Sequence, residues 1–241
     1  MLLWNRFYDK QRKDIIVSNT ELINFLTENK KKQWNYPNTF PNNLWETDWP
    51  WSQVNATGTH NYNEIIAELS AVSELFVEHR AKDKIESYGH EGWYSLTVHG
   101  IDYDKTENYD RYGFSSEEEA NYKWTSVCEK LPLTKNLIDS LPFKDYGRIR
   151  IMRMSPQGYI MPHTDGIGRI FGPFNFAINN PEGCEFVIEG HGVVPFKQGS
   201  GFLLDIGKKH AVINDSDEYR YHIIIHGKLT TNPAELLREI L

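Results

Sequence analysis

The sequence predicts a mainly β protein with an α-helical elaboration, on three observations. The second half of the 241-residue chain holds eight short extended runs, at 148–154, 159–163, 174–178, 184–189, 193–196, 202–206, 210–213 and 219–226. Turn-forming clusters part them, among them Asn179-Asn180-Pro181-Glu182-Gly183 and Lys197-Gln198-Gly199-Ser200-Gly201; short strands at regular spacing mark a sandwich or barrel. The first half mixes helical periodicity with irregular, aromatic-rich chain and has no clean linker. A single domain over 1–241 is therefore expected: a helical and irregular half with supporting strands over 1–145, a β core over 146–229 and a C-terminal helix over 230–241.

The elements follow in order. Asn19 or Thr20 caps a helix running to Lys32, with Leu22, Ile23, Phe25 and Leu26 as its apolar set and Lys30-Lys31-Lys32 as its solvated end. Residues 34–59, with Trp34, Trp45, Trp49, Trp51 and three prolines, lack periodicity and read as a packed arm, with a substrate lid as the alternative. Residues 64–79 place Ile65, Ile66, Leu69, Val72, Leu75 and Phe76 at helical spacing. Residues 92–100 read as a strand extending the sheet, and 116–130 as a capped helix. Arg148, Arg150 and Arg153 lie on the first core strand and are expected to be solvated or ion-paired. Ser155-Pro156-Gln157-Gly158 is turn chemistry, and Pro162 marks a strand end or edge. In the last strand Arg220, His222, Ile224 and His226 share one face, and Tyr219, Tyr221, Ile223 and Ile225 share the other. His222 and His226 read as core or rim residues.

The chemistry concentrates in Pro162-His163-Thr164-Asp165, His210 and Arg220. A His-x-Asp pair and a distant His supply two imidazoles and one carboxylate, the ligand set of a mononuclear non-haem Fe(II) site with open positions. In extended chain, positions i and i+2 share a face, so His163 and Asp165 can converge on one ion. Arg220, ten residues after His210, offers a planar fork for a carboxylate. The pattern points to an oxygenase that uses a keto acid. Each part alone is weak: nine His and thirteen Asp in 241 residues give about 0.5 chance His-x-Asp matches, 9 × 13 / 241. Taken singly, His163 and Asp165 also fit a surface turn, His210 a strand-start histidine, and Arg220 a cross-strand ion pair.

Residues 148–229 resemble the aspartyl/asparaginyl β-hydroxylase family of 2-oxoglutarate-dependent oxygenases, in its small bacterial and phage form. The matching pieces are Pro162-His163-Thr164, Pro181-Glu182-Gly183-Cys184, Gly201-Phe202-Leu203-Leu204-Asp205, His210-Ala211-Val212 and Tyr219-Arg220. The resemblance implies a double-stranded β-helix (jelly-roll) core with the metal at its open end. It implies Fe(II) on His163, Asp165 and His210, a 2-oxoglutarate carboxylate on Arg220, and O₂ as oxidant, with succinate and CO₂ released. The animal peptidyl member lacks the carboxylate ligand that Asp165 supplies here, so the expected substrate is an amino acid, a small molecule or a peptide side chain. The Arg and His of that member's third strand fall on Gly172 and Phe174; Asn175 and Arg169 are the candidate replacements. A cupin-like metal enzyme of another reaction type, since two His and one Asp also bind Zn²⁺, and a non-catalytic jelly-roll binding module are the alternatives. Arg220 speaks against a zinc hydrolase, which needs no keto-acid anchor.

Composition narrows the partners. A net charge of −7 without a basic patch argues against nucleic acid. No apolar run reaches membrane-spanning length, and Met1-Leu2-Leu3-Trp4-Asn5-Arg6 lacks a signal-peptide layout. Two cysteines, Cys128 and Cys184, are too few for a disulfide framework, so a reducing cytoplasm is expected.

Overall fold

A computed structural model describes residues 20–37, 44, 47–55, 59–81, 89–166, 168 and 171–231. Asn19, Trp45, Arg169 and most of the expected C-terminal helix lie outside them. In chain order the elements are helix α1 (Thr20–Asn29), β1 (Trp51–Asn55), α2 (Tyr62–Ala71), β2 (Val77–Glu78), β3 (His90–Gly100), α3 (Glu117–Ala120), β4 (Lys123–Trp124) and α4 (Pro132–Asp139). The core strands follow: β5 (Phe143–His163), β6 (Phe171–Ala177), β7 (Cys184–Ile188), β8 (Gly192–Val193), β9 (Ser200–Asp205), β10 (His210–Asn214) and β11 (Arg220–Leu229).

The pairing is antiparallel throughout and follows the path β1-β9-β6-β11-β5-β10-β7-β8. That path folds back on itself because β5 serves both sides. Its first part pairs with β11, from Phe143↔Leu229 to Met154↔Arg220. Its last part pairs with β10, from Tyr159↔Ile213 to His163↔His210. Two facing sheets result, β9-β6-β11-β5 and β5-β10-β7-β8, which is the jelly-roll arrangement. The expected turn at 155–158 is a bend inside one continuous strand. Gln157 takes a left-handed φ of 62° there. At Gly158 a Cβ would meet Met154 Cγ at 2.8 Å and the carbonyl oxygens of Glu91 and Ser155 at 2.9 Å, so only glycine lets β3 and the bend pack this closely.

Strand alternation sorts the core. Met154, Ile160, Phe186, Ile188, Phe202, Leu204 and Val212 pack between the two sheets. Ile149, Ile151, Phe174, Phe176, Ile223 and Ile225 face the other way, against Ile65 and Leu69 of α2 and Leu137 and Ile138 of α4. On the far side, Leu22, Phe25 and Leu26 of α1 cover Val187 and Ala211.

Three helices are shorter than expected, each because a tertiary contact outbids local propensity. The first stops at Asn29, whose side chain donates to Phe25 O (2.9 Å) and accepts from Gly190 N (2.7 Å) in the β7–β8 hairpin. The second stops at Ala71: after a 3-10 turn, Val77 and Glu78 pair with Ser95 and Tyr94 of β3 instead. The third is capped by Ser116 but ended by Asn121 at φ 50°, and Lys123 and Trp124 join β3. The described part of the Trp-rich segment is a packed arm. Trp34 stacks edge-on against Tyr36, Trp49 and Trp51, at 4.7, 5.5 and 5.1 Å between centroids, and β1 extends the sheet beyond β9. Among the described residues no helix is long and apolar enough to cross a membrane.

Candidate active site

The β5–β10 register builds the metal site. β5 ends at His163, β10 begins at His210, and these two residues are cross-strand partners with ring centroids 4.3 Å apart. Asp165 lies just past the strand end, not in extended chain as the i, i+2 argument supposed. A bend returns it to the site, and its backbone N–H donates to Ile206 O at 3.1 Å. Its carboxylate then stands 3.7 Å (Oδ1) from His163 Nε2 and 3.9 Å (Oδ2) from His210 Nε2. Ligand atoms from all three residues lie within 4.8 Å of one another, a grouping able to hold a metal ion.

Both imidazoles are set up to be ligands. His163 Nδ1 lies 2.7 Å from Met161 O and His210 Nδ1 2.9 Å from Lys208 O. A carbonyl only accepts, so each Nδ1 carries the proton and each Nε2 keeps its lone pair toward Asp165. Phe186 stacks on His210 at 5.1 Å and 10°, fixing the ring plane. Burial, then the neighbouring His210, lowers His163 to about 4, and burial lowers His210 as well. Both are therefore neutral at pH 7, the form that binds metal. Two neutral nitrogens and one anionic oxygen on one side of an open cavity suit Fe(II).

The ligands border a cavity of about 300 Å³ between the sheets, which Arg220, Asn175, Pro173 and His222 also line. Arg220 is buried. Its Nε donates to Asn180 Oδ1 (3.4 Å) and its Nη2 to His222 Nδ1 (2.9 Å), with the guanidinium 5.9 Å from the Phe196 ring centre. No carboxylate lies within ion-pair distance of it among the described residues, and burial lowers its pKa to about 10. The cross-strand ion pair is therefore not what Arg220 makes. Asn175 sits on β6 opposite Ile224 of β11, its amide donating to Pro173 O at 3.3 Å.

The model of the Aspartyl/Asparaginyl beta-hydroxylase family matches residues 59–228, well over half of the chain and far beyond the 148–229 stretch that carried the resemblance. The chain belongs to this family. This hydroxylase carries in His163, Asp165 and His210 a grouping that fits the Fe(II) of a 2-oxoglutarate-dependent enzyme. No curated protein matches it in sequence. Solved structures similar to it include a 2OG-Fe(II) oxygenase family oxidoreductase from Burkholderia pseudomallei, 14% identical over 72% of this chain and 95% of that one, TM-score 0.36. Another is a Pseudomonas putida prolyl-4-hydroxylase, 14% identical over 75% and 94%, TM-score 0.39. A third is a Trichoplax adhaerens prolyl hydroxylase, 11% identical over 95% and 96%, TM-score 0.43. Identities this low pass no residue role to this chain.

The hydroxylase also places residues in the cavity that the sequence left elsewhere. Arg148, half-buried, and Arg150, buried, line it. Arg150 Nη1 donates to His79 Nε2 (3.2 Å) and Thr106 O (3.1 Å), and its Nη2 meets His226 Nε2 at 3.5 Å. His222 and His226 are cavity-lining. The available signal was parity: Arg148, Arg150 and Met152 share the inward face of a strand covered on both sides. Arg153 takes the other face, its guanidinium 4.6, 4.9 and 5.3 Å from the rings of Phe76, Tyr94 and Tyr219, a cation–π site.

Proposed function

We propose that this protein hydroxylates an unactivated carbon of an amino acid, small molecule or peptide side chain, with His163, Asp165 and His210 as the Fe(II) ligands and Arg220 as the anchor of 2-oxoglutarate. One observation carries the reading: a buried guanidinium with no described carboxylate within ion-pair distance shares a cavity with a two-His, one-carboxylate triad. A buried charge left alone costs several kcal/mol, and a dicarboxylate reaching the metal with its other end supplies the missing partner.

When bound, Fe(II) and 2-oxoglutarate supply the oxidising chemistry: O₂ is reduced at the keto acid's expense, succinate and CO₂ leave, and a substrate C–H becomes C–OH. The residues do the rest. Met161 O and Lys208 O hold the two imidazoles in their metal-binding tautomer. His163, Asp165 and His210 would hold the ion at the edge of the cavity. Arg220 would hold the distal carboxylate through charge-assisted hydrogen bonds, and Asn175 would be a second contact. Phe186 and Ile206, which line the cavity, exclude water from the reacting carbon. The test is a substrate panel incubated with Fe(II), ascorbate and 2-oxoglutarate. Substrate-dependent succinate and a product heavier by one oxygen are expected; succinate that no substrate stimulates counts against the hydroxylase reading.

A further inference from the structure

One buried donor beside Arg220 has no acceptor in the fold. His222 stands two residues beyond Arg220 on β11 and shares its inward face, and both side chains line the cavity. The ring is 1% exposed and packs edge-on against Phe196 at 4.6 Å between centroids. Its Nδ1 lies 2.9 Å from Arg220 Nη2. A guanidinium only donates, so Nδ1 accepts. Burial, then the charge of Arg220, holds the ring well below its ordinary 6.5, so it is neutral at pH 7 and carries one proton. That proton sits on Nε2, a buried atom without a hydrogen-bond partner.

Buried donors in folded proteins are nearly always paired, and an orphan on a cavity wall calls for an acceptor that arrives with a ligand. The chemistry of that ligand is set by the neighbour. Arg220 is held on two edges by neutral acceptors, Asn180 Oδ1 on Nε and His222 Nδ1 on Nη2, and so keeps its positive charge for an anion. The guanidinium and the Nε2–H are one imidazole ring apart. A carboxylate has two oxygens, each accepting charge-assisted hydrogen bonds at about 2.8 Å. A single carboxylate can therefore take one bond from the guanidinium and one from Nε2. A ring that served only to prop up Arg220 would need its Nδ1 lone pair and nothing more.

We propose that His222 is a binding residue for the cosubstrate: its Nε2–H donates to the distal carboxylate of 2-oxoglutarate beside Arg220, and the Arg220–His222 hydrogen bond fixes the tautomer that does so. This role rests on the hydroxylase reading above and deepens it. Arg220 supplies the charge; His222 supplies a neutral donor whose place is set by the strand. A keto acid that ends in a methyl group leaves both donors unpaired, so the pair discriminates strongly for a diacid.

The test reads the ring itself. Zn²⁺, which binds the same donor set and is diamagnetic and redox-inert, replaces Fe(II), and NMR follows the His222 ring nitrogens. The ligand-free protein should show the Nε2–H tautomer. 2-Oxoglutarate should shift the Nε2 signal; 2-oxovalerate, the same chain with a methyl in place of the distal carboxylate, should not. His222→Phe should weaken 2-oxoglutarate about tenfold or more and leave 2-oxovalerate and Zn²⁺ binding unchanged. His222→Gln, which offers both an acceptor and a donor, should recover part of the loss. An Nδ1–H tautomer in the ligand-free protein overturns the proposal. So does an Nε2 signal that 2-oxoglutarate does not move while Arg220→Met still weakens it; the anchor on Arg220 then stands without His222. Equal binding of 2-oxoglutarate and 2-oxovalerate, indifferent to Arg220→Met, sinks the anchor reading and His222 with it.

Discussion

Arg220 Nη2 donates to Nδ1 of His222 at 2.9 Å. With Nδ1 accepting, the single proton of the neutral ring sits on Nε2, and that atom is buried with no partner in a residue lining the cavity. Two donors from one strand face are thereby prepared for an incoming carboxylate. Replacing His222 with Phe removes both the acceptor that orients Arg220 and the free N–H. The expected result is weaker 2-oxoglutarate binding by about tenfold, one charged hydrogen bond's worth, with Fe(II) affinity unchanged. Anaerobic titration of the metal-to-ligand band checks it; equal affinity in wild type and variant would remove His222 from the anchor.

Arg220→Ala removes the fork itself. Its 2-oxoglutarate affinity should fall by roughly 10- to 100-fold or more, and Arg220→Lys should recover part of the loss because it keeps charge without planarity. The same titration reads both variants. A wild-type affinity in Arg220→Ala would leave the buried guanidinium without a role.

The metal site yields a graded series. Truncating His163 or His210 to Ala leaves two ligands, and Fe(II) retention should drop by at least about 100-fold, beyond the loss usual for a supporting residue. Asp165→Ala removes the only anionic ligand and should weaken the ion less than either His, because its carboxylate is half-exposed at 31% while the two imidazoles are 8% and 4% exposed. Metal content after anaerobic gel filtration, with dissociation constants from a competing chelator, ranks the three. Stoichiometric iron in His163→Ala would sink the assignment.

Acid should destabilise the metal-free protein through its cavity histidines. Burial holds His163 at about 4 and His226 at about 3, and also lowers His79 and His222, all from an ordinary 6.5. Below pH 6.5 the unfolded chain takes up protons that the folded one refuses. Their contribution is therefore complete above 6.5 and shrinks as pH falls toward 4, by up to about 1.4 kcal/mol per group per pH unit. Urea unfolding at pH 7, 6, 5 and 4 measures the slope. His226→Gln, which cannot titrate, should show a shallower slope than wild type.

Gly158→Ala is expected to destabilise the fold by about 1–3 kcal/mol, since the new methyl has only the Glu91 and Ser155 carbonyls and Met154 to meet. Thermal unfolding reads this directly. A neutral outcome would mean that the bend relaxes freely.

Much of this was legible because chemistry and alternation are written locally. His163, Asp165, His210 and Arg220 carry their types and spacing in the sequence, and strand parity on β11 sorted Arg220, His222 and His226 from Tyr221, Ile223 and Ile225. What escaped notice depends on contacts distant in the chain. The helix expected through His79 ends early because Val77 finds Ser95, and Asp165 reaches the ligands through a bend fixed by Ile206. Arg148 and Arg150 resemble surface cations until β3 and β11 close over both edges of β5 and turn their face inward.

One strand, β5, carries Arg148 and Arg150 before its bend and ends on His163 after it. The two sheets therefore cannot slide past one another without breaking a covalent span, and the gap from cationic end to metal ligand is held like the jaws of a caliper. Its setting is a residue count. Moving the bend by two positions would keep every side chain on its face and lengthen or shorten the reach by about 7 Å. A relative with its bend so displaced should therefore enclose a longer or shorter cavity beside the same triad.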